Sequence, residues 1–338
     1  MAKLDPVTVP APQARPVPQS RVALSARLQN YLQHYGPLTA ALVLLLLNCI
    51  FTPHFISFQT LGLNLQQMTT TTIVAIGMTL VIGTGGIDLS VGSVMAIAGA
   101  LAPLIFLHMS NQLLGNTLAF IVPLLVGGIC GLFNGWLVAR FNIQPIVATL
   151  ILFIAGRGIA QVLTNGAGQP FSNPGFGWIG QGAFLGLPLQ AYLMLILLIA
   201  FTFVVRRTTF GRYILATGGN AAAARLAGVP IARTKVAVYV ITGVLAALSG
   251  LIVVALNSNS DPGSVGLNYE LNAIAAVAIG GTSLTGGQAK VVETFIGALI
   301  IQLIYTALVG NNVPQAVALV INAIIILAAV YLQRQRRA

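Results

Sequence analysis

The residues that could carry chemistry are few and scattered along this chain. Residues 281–286 have the glycine spacing of a phosphate-binding loop, but Gly287 and Gln288 stand where such a loop needs Lys and Ser or Thr. The histidines and cysteines are isolated from one another: His34, His54, His108, Cys49 and Cys130. Their spacing does not fit a metal site, and neither a Ser/His/Asp triad nor a carboxylate pair is visible. We therefore predict no catalytic residue, no metal site and no cofactor in this chain.

Asp88 lies in the most unusual polar segment of the sequence, residues 83–93. Gly85 and Gly86 stop one apolar helix, and a new apolar run starts at Leu89. A carboxylate at this point can accept the free amide hydrogens of the new helix and face its positive end. A role in a transport pathway, in signalling between subunits or in a proton relay stays open.

Two more charges lie at apolar runs. Arg157 is the one cation deep inside such a run, and residues of this kind pair with carboxylates or carbonyls or line a water-filled cavity. Structural pairing is the favoured interpretation, with a role in a pathway as the alternative. Glu270 lies at the start of another apolar run, where its charge suits a helix N-terminus.

These polar positions must be held by membrane-spanning helices. Of the 338 residues, 57% are hydrophobic and 6% are charged, whereas a soluble domain carries about 25% charged residues. The composition excludes a soluble enzyme, a nucleic-acid-binding protein and a disordered chain. The net charge of +11 fits basic residues sorted to the cytoplasmic side of a membrane.

The gaps between charges predict ten spans, because a span needs roughly 20 apolar residues. Two spans each fall in residues 28–87, 89–139, 141–205 and 294–333, and one each in 236–260 and 271–289. With the N-terminus inside, nearly all Lys and Arg residues lie on the inner side. Gly127, Gly131 and Gly135 are four residues apart and predict close packing of one helix on another.

The predicted fold class is therefore all-α, a polytopic membrane protein with about ten transmembrane helices and both termini cytoplasmic. Residues 1–35 form a Pro-rich cytoplasmic tail with a possible interfacial helix over 22–35, and no signal peptide is predicted because the first apolar run starts too late. Residues 36–333 form the transmembrane domain, with a cytoplasmic loop at 206–235. Residues 334–338 form a basic tail.

A short helix is written into that loop. Asn220 can cap it, the alanines from Ala221 and Ala222 onward propagate it, and Gly228 ends it before Pro230. Such a helix is too short to be stable alone, so it needs a packing partner on the cytoplasmic side. An ordinary amphipathic connector is the alternative.

Four sequence blocks, residues 75–93, 211–220, 269–276 and 278–287, resemble the permeases of ribose-type sugar importers. The resemblance runs from about residue 60 to the C-terminus. It implies the membrane subunit of an ATP-driven importer in the bacterial inner membrane. Such a subunit pairs with a second permease chain, either identical or a paralogue. It also works with separate ATP-binding cassette subunits that carry ATP and Mg, and with a periplasmic or lipid-anchored sugar-binding protein. Membrane lipid surrounds it and no nucleic acid is involved.

The resemblance assigns the short helix to coupling with the ATPase, through Gly218, Gly219, Asn220, Ala221, Ala222, Arg225 and Gly228. Relatives often carry an acidic residue at position 221, Asp at 272 and Lys at 322, where this chain has Ala, Asn and Asn. The outer loop 169–187, with Phe171, Phe176, Trp178 and Phe184, would present an exposed aromatic surface to the binding protein, or else plug the span ends.

A sugar is neutral, so its pathway should offer hydroxyl and amide groups. The densest set enters the second span, and the candidates are Asn64, Gln66, Gln67 and Thr70, with Arg157 as a further one. A polar face packed on neighbouring spans is the alternative. The function predicted is import of a monosaccharide by alternating access. The rivals are a related permease for amino acids or another small polar solute, an ion-coupled carrier, and a membrane scaffold.

Overall fold

The computed structural model describes residues 36–314, 316–318, 320, 321, 323 and 324. This part of the chain is mostly helical, as the family-independent analysis of its composition predicts. The helices are, in chain order, α1 (Gly36–Phe51), α2 (Phe58–Gly83), α3 (Val91–Leu107), α4 (Gln112–Arg140), α5 (Pro145–Leu163), α6 (Pro174–Gln181), α7 (Leu189–Arg207), α8 (Thr209–Gly219), α9 (Ala221–Leu226), α10 (Ile231–Asn257), α11 (Tyr269–Ile279) and α12 (Val291–Gly310).

Six helices in the described part are long and apolar enough to cross a membrane: α2, α4, α5, α7, α10 and α12. Three shorter apolar helices, α1, α3 and α11, occupy the places of three further predicted spans. The tenth predicted span follows Pro314 and lies largely outside the described residues. The count of ten and the orientation of the termini therefore stay predictions. The tail and possible helix of residues 1–35 and the basic tail 334–338 also lie outside the described residues.

The centre of the bundle is built from α2, α3 and α10. In the most apolar 18-residue stretch of each helix, 78% of α2 and 67% of α10 are buried, against 22% of α4 and 22% of α7. α10 packs against both α2 and α3, and α4 packs along α10 and α3. α5 and α7 lie further out, with large apolar side chains exposed where lipid would contact them.

The glycine face of α4 packs directly on α10, as its spacing predicts. A Cβ added at Gly131 would lie 2.2 Å from the carbonyl oxygen of Tyr239. At Gly127 it would lie 2.5 Å from the carbonyl oxygen of Gly243, and at Gly135 it would lie 2.8 Å from Cα of Val236. Only glycine allows the two backbones this approach.

The segment 206–235, predicted as a cytoplasmic loop that contains a short helix, is helical over most of its length. Arg206 and Arg207 form the last turn of α7, α8 and α9 follow, and Arg233 already lies in α10. The side chain of Thr208 accepts a hydrogen bond from the amide of Gly211 and so starts α8 immediately after α7.

Two small antiparallel ladders close the opposite end of the bundle. β1 (Gln169–Pro170) pairs with β4 (Asn259–Ser260), and β2 (Ala183–Phe184) pairs with β3 (Leu187–Pro188). The first ladder ties the α5–α6 connection to the end of α10. This end therefore forms a fixed cap of loops over the helices.

Candidate functional site

A cluster of uncharged polar side chains joins α2 to α12. Nε2 of Gln302 donates to Oδ1 of Asn64 at 3.0 Å and to Oε1 of Gln67 at 2.8 Å. The hydroxyl of Thr306 also donates to Oδ1 of Asn64. Gln302 is buried, with 8% of its surface exposed. We call these four residues the amide cluster.

Only the α2 half of the amide cluster, Asn64 and Gln67, is among the residues that the sequence predicts. Gln302 and Thr306 are two polar residues within a strongly apolar helix, and they carry no motif. Their separation of four residues places them on one face of α12, which is the signal that could have identified them.

Thr70 and Gln66, the other two candidates on α2, lie outside the amide cluster. The hydroxyl of Thr70 lies 3.0 Å from the hydroxyl of Tyr269 on α11, and its carbonyl oxygen accepts from Ser249 of α10. Thr70 is buried, so these bonds fasten α2 to two neighbours. Gln66 is half-buried.

The amide cluster borders a crevice of about 280 Å³ between α1, α2 and α12. Asn64 and Gln302 lie in its wall, and its other residues are mainly apolar: Leu45, Cys49, Phe55, Ile56, Ser57, Leu61, Leu65, Met68, Leu299 and Leu303. The crevice therefore brings open space to the only two amide side chains among its lining residues.

Arg157 is engaged by backbone carbonyls. Its Nη1 donates to the carbonyl oxygens of Pro262 at 2.7 Å and Val265 at 2.6 Å, and its charge is attracted by Glu270. Glu270 lies in the first turn of α11, with 6% of its surface exposed. A Cβ at Gly92 would lie 2.5 Å from Oε2 of Glu270, so α3 closes directly over this carboxylate. Arg157 thus holds the α10–α11 connection. The carbonyl oxygens of this connection are the binding partner that the sequence could not identify.

Asp88 is buried at the α2–α3 turn, with 1% of its surface exposed. Its Oδ1 accepts from the amide of Ser90 at 2.9 Å and from the hydroxyl of Ser90 at 2.6 Å, and that hydroxyl accepts from Nδ2 of Asn134 at 2.8 Å. α3 begins at Val91, not at residue 89. This is a correction: Asp88 holds the amide of the residue before the helix, because two turn residues intervene. Burial raises the pKa of Asp88 to about 6.

The two glycines of this turn have distinct roles. Gly85 has φ +82°, a left-handed conformation that glycine adopts without strain. A Cβ at Gly86 would lie 2.7 Å from the hydroxyl oxygen of Tyr239, so α10 packs directly on the turn.

The short helix α9 forms as the sequence predicts. Oδ1 of Asn220 accepts from the amide of Ala223 at 3.0 Å, and Gly228 ends the helix with φ +80°. Leu226 is 91% exposed. The other exposed residues of this segment are Ala221, Ala222, Ala223 and Arg225. α9 therefore presents an apolar and basic surface away from the bundle, and its coupling role stays a prediction.

Three distant sequence segments meet at one backbone junction beside α9. The amide of Gly287 donates to the carbonyl oxygen of Gly83 at 3.1 Å. A Cβ at Gly218 would lie 2.0 Å from that same carbonyl oxygen and 2.5 Å from the amide nitrogen of Gly287. A Cβ at Gly286 would lie 2.9 Å from the carbonyl oxygen of Gly218. We call Gly83, Gly218, Gly286 and Gly287 the glycine junction. Gly219, the other predicted coupling glycine of α8, lies beside it.

The glycine junction connects α9, through α8, to the ends of α2 and to the segment that leads into α12. Close to it, the hydroxyls of Thr79 on α2 and Thr294 on α12 lie 2.9 Å apart. α2 and α12 are thus fastened to each other both near the junction and at the amide cluster. The sequence predicts a coupling role for Gly218 and does not predict its contact with Gly83 and Gly287.

The aromatic residues of the outer loop divide into two groups. Phe171 and Phe176 pack on Phe106 with ring centroids 5.0 and 5.2 Å apart, and Phe176 is only 1% exposed. These two plug the end of α3, so the expectation of an exposed cluster is wrong for them. Trp178 and Phe184 are each 58% exposed, and Trp178 borders a polar hollow of about 350 Å³ with Ser172, Asn173, Gln181 and Ser258 in its wall.

Among the described residues, no group of three or more His, Cys, Asp or Glu side chains lies close enough together to hold a metal ion. The polar sites are therefore amides, hydroxyls and isolated charges. Such groups bind and orient an uncharged polar solute through hydrogen bonds.

Comparison with protein families gives one match that covers most of the chain. The family model described as the permease component of the branched-chain amino acid transport system matches residues 62–330. No solved structure gives a significant match.

Several curated proteins are similar over nearly their whole length. The ribose import permease protein RbsC of Escherichia coli K12 is 39% identical over 311 residues, covering 91% of this chain and 95% of that protein. The galactofuranose transporter permease protein YtfT of the same organism is 40% identical, covering 88% and 89%. The L-arabinose ABC transporter permease protein AraH of Azospirillum brasilense is 34% identical, covering 89% and 88%.

Proposed function

This chain belongs to the family of permease components of the branched-chain amino acid transport type, and we propose that it is the membrane subunit of an ATP-driven importer for a monosaccharide. The observation that carries the proposal is the similarity to the ribose, galactofuranose and arabinose permeases over about nine-tenths of each chain. The resemblance drawn from the four sequence blocks is thereby confirmed. With its long apolar helices, the chain is a multi-pass membrane protein.

The proposed assembly places this chain beside a second permease chain in the bacterial inner membrane. ATP and Mg are held by a separate ATP-binding cassette subunit on the cytoplasmic side, and a soluble or lipid-anchored sugar-binding protein docks outside. The exposed surface of α9 suits the ATPase, because a six-residue helix with Leu226 outward needs a packing partner. The opposite end, with Trp178 and Phe184 exposed beside a polar hollow, suits the binding protein.

The glycine junction supports a mechanical route from α9 to the solute. Because Gly218 touches the backbone of both Gly83 and Gly287, a displacement of α8 and α9 would move the end of α2 directly and α12 through the segment that leads into it. Further from the junction, α2 and α12 carry the amide cluster, through Asn64 and Gln67 on α2 and Gln302 on α12. ATP binding and hydrolysis on the partner would then shift the populations of two packings of these helices.

The amide cluster is the proposed contact for the sugar. Its members are neutral, and amide and hydroxyl groups match sugar hydroxyls as both donors and acceptors. Within the closed cluster they bond to one another, so a solute that enters from the crevice exchanges these bonds for its own. Thr70 and Arg157 have structural contacts instead, and we propose no pathway role for them.

The function is tested by reconstitution in proteoliposomes with the cognate ATPase and soluble receptor. Radiolabelled ribose, galactose and arabinose are offered separately, with and without internal ATP. We expect uptake of one sugar that requires ATP and both partners. Uptake by this chain alone without ATP would instead identify an ion-coupled carrier.

A variant of the amide cluster tests the proposed pathway. Gln302→Ala leaves the acceptors of Asn64 and Gln67 without their shared donor, and we expect sugar uptake to fall about tenfold, as for loss of about 1–2 kcal/mol. Gln112→Ala, at an exposed position in the first turn of α4, is the matched control and should transport normally. Unchanged uptake in Gln302→Ala would remove the amide cluster from the pathway.

A branched-chain amino acid is the second candidate solute, because the family model carries that description. A zwitterion would need charged partners, and the amide cluster offers none. Binding of leucine, and not of any of the sugars, to the cognate soluble receptor would decide for the amino acid.

A further inference from the structure

An apolar groove of about 390 Å³ lies between α4 and α10, where α4 ends and α10 begins. It is lined by Trp136, Ala139, Arg140, Ala232, Arg233, Val236 and Ala237. The two helices touch through Gly135 beside it, and the three alanines leave the space open. We call it the α4–α10 groove.

Two exposed arginines from different helices are among the lining residues of this groove. Arg140 is the last residue of α4, and Arg233 lies in the first turn of α10. None of the carboxylates in the described part of the chain lines the groove. The groove therefore has two arginines and no carboxylate among its lining residues, a charge balance that suits binding of an anion.

The wall of the groove has the composition of a membrane interface. Trp136 is 49% exposed and packs edge-on against Phe141, with ring centroids 4.8 Å apart. Tryptophan is enriched at the level of lipid headgroups, where its ring is apolar and its N–H reaches polar groups. Trp136 belongs to α4, a helix in which only 22% of the most apolar stretch is buried.

We propose that the α4–α10 groove is a binding site for an anionic phospholipid. The headgroup phosphate lies between Arg140 and Arg233, and one acyl chain follows the groove against Trp136. A lipid fits better than an acidic protein segment, because only a lipid supplies an anion and a hydrocarbon chain in the positions where the groove offers charge and apolar wall. The proposal requires only that the chain spans a membrane, so it does not depend on the solute transported.

The tryptophans make the site directly measurable. The chain has two, Trp136 and Trp178, so Trp178→Phe leaves Trp136 as the single tryptophan, which can be excited selectively over the tyrosines. This variant is placed in two kinds of phosphatidylcholine nanodisc. One contains brominated phosphatidylglycerol and the other contains brominated phosphatidylcholine, and in both the bromine atoms on the acyl chains quench a nearby indole. We expect phosphatidylglycerol to quench Trp136 at a mole fraction at least about fivefold lower than phosphatidylcholine, the factor expected per basic residue at a membrane surface.

Matched variants distinguish a lipid bound in the groove from the non-specific electrostatic attraction of anionic lipids to a basic protein. Arg140→Gln combined with Arg233→Gln should bring the ratio of the two quenching curves to about one, whereas Arg212→Gln, an exposed arginine on α8, should leave the preference intact. The second single-tryptophan protein, Trp136→Phe, retains only Trp178 in the loop 169–187. Its fluorescence should be quenched equally by the two lipids.

Equal quenching of Trp136 by the two lipids would overturn the proposal, and so would a preference that survives loss of both arginines. Absence of quenching by either lipid, together with cross-linking of two chains through this face, would show that a second copy of the chain covers the groove. That result also overturns the lipid site.

Discussion

Gly218 is the position at which a single methyl group should separate the motion of α9 from that of α2 and α12. In Gly218→Ala the new Cβ would lie 2.0 Å from the carbonyl oxygen of Gly83, and contacts below 3.0 Å are essentially never seen. The two atoms must therefore separate by about 1 Å. Both neighbours are backbone atoms, so no side chain can rotate away, and the carbonyl of Gly83 also loses its hydrogen bond with Gly287.

The size of the effect follows from the cost of overpacking, about 1–3 kcal/mol. If this energy acts on the balance between the two packings, it changes their ratio by about 5- to 150-fold. Gly219→Ala is the matched control, because a Cβ there meets no described heavy atom within 4 Å. The same substitution one residue later should therefore be tolerated, and the higher helix propensity of alanine even favours it.

The assay measures sugar uptake and ATP hydrolysis in proteoliposomes that contain the ATPase and the soluble receptor. We expect Gly218→Ala to lower uptake at least about tenfold while the ATPase still binds, and Gly219→Ala to stay within about twofold of the original protein. Monodisperse Gly218→Ala protein with uptake equal to that of Gly219→Ala would refute the mechanical role of the glycine junction.

Three further variants test individual contacts. Arg157→Leu removes two hydrogen bonds and leaves Glu270 without its positive neighbour, so the protein should lose about 2–4 kcal/mol of stability in thermal unfolding; an unchanged Tm would contradict the bonding to Pro262 and Val265. Burial raises the folded-state pKa of Asp88 from 3.8 to about 6, so its contribution to stability is full below pH 4 and is lost as the pH rises through 6, by up to about 3 kcal/mol. Asp88→Asn keeps the acceptor for Ser90 and should remove this pH dependence, which denaturant unfolding at pH 4–8 can check. Asn220→Ala should cost about 1 kcal/mol of α9 stability and lower the stimulation of the ATPase by the receptor. Asn220→Ser keeps a capping side chain and should restore both. Equal ATPase stimulation in the two variants would exclude a role for the Asn220 cap in coupling.

Local signals in the sequence identified the elements that are decided locally. The cap, the alanines and the terminal glycine of α9 lie within nine residues, Asn220 to Gly228, so the helix could be predicted almost to its ends. The glycine face of α4 was equally readable, because a spacing of four residues fixes one side of a helix whatever lies opposite. The start of α3 was displaced because Asp88 and Ser90 form a turn whose hydrogen bonds compete with the helix.

Contacts between distant segments could not be read in the same way. The amide cluster pairs Asn64 with Gln302, which is 238 residues away along the chain, and the glycine junction joins segments through backbone atoms that every residue has. In the sequence, a glycine that allows two backbone segments to approach closely cannot be told from a glycine in a bend until the segment packed against it is known. The outer aromatic loop shows the same limit, since the same residue type is buried at Phe176 and exposed at Phe184.

The positions of the polar bonds indicate which helices move together. α2 and α12 are joined by hydroxyls near the glycine junction, at Thr79 and Thr294, and by amides at Gln67 and Gln302. The span from Thr79 to Gln67 along α2 is about 18 Å at 1.5 Å per residue. A pair of helices fastened at two points so far apart resists sliding and tilts as one body. We therefore expect a displacement at the junction to move the amide cluster as a unit relative to α1 instead of pulling its members apart, and to open or close the crevice beside α1.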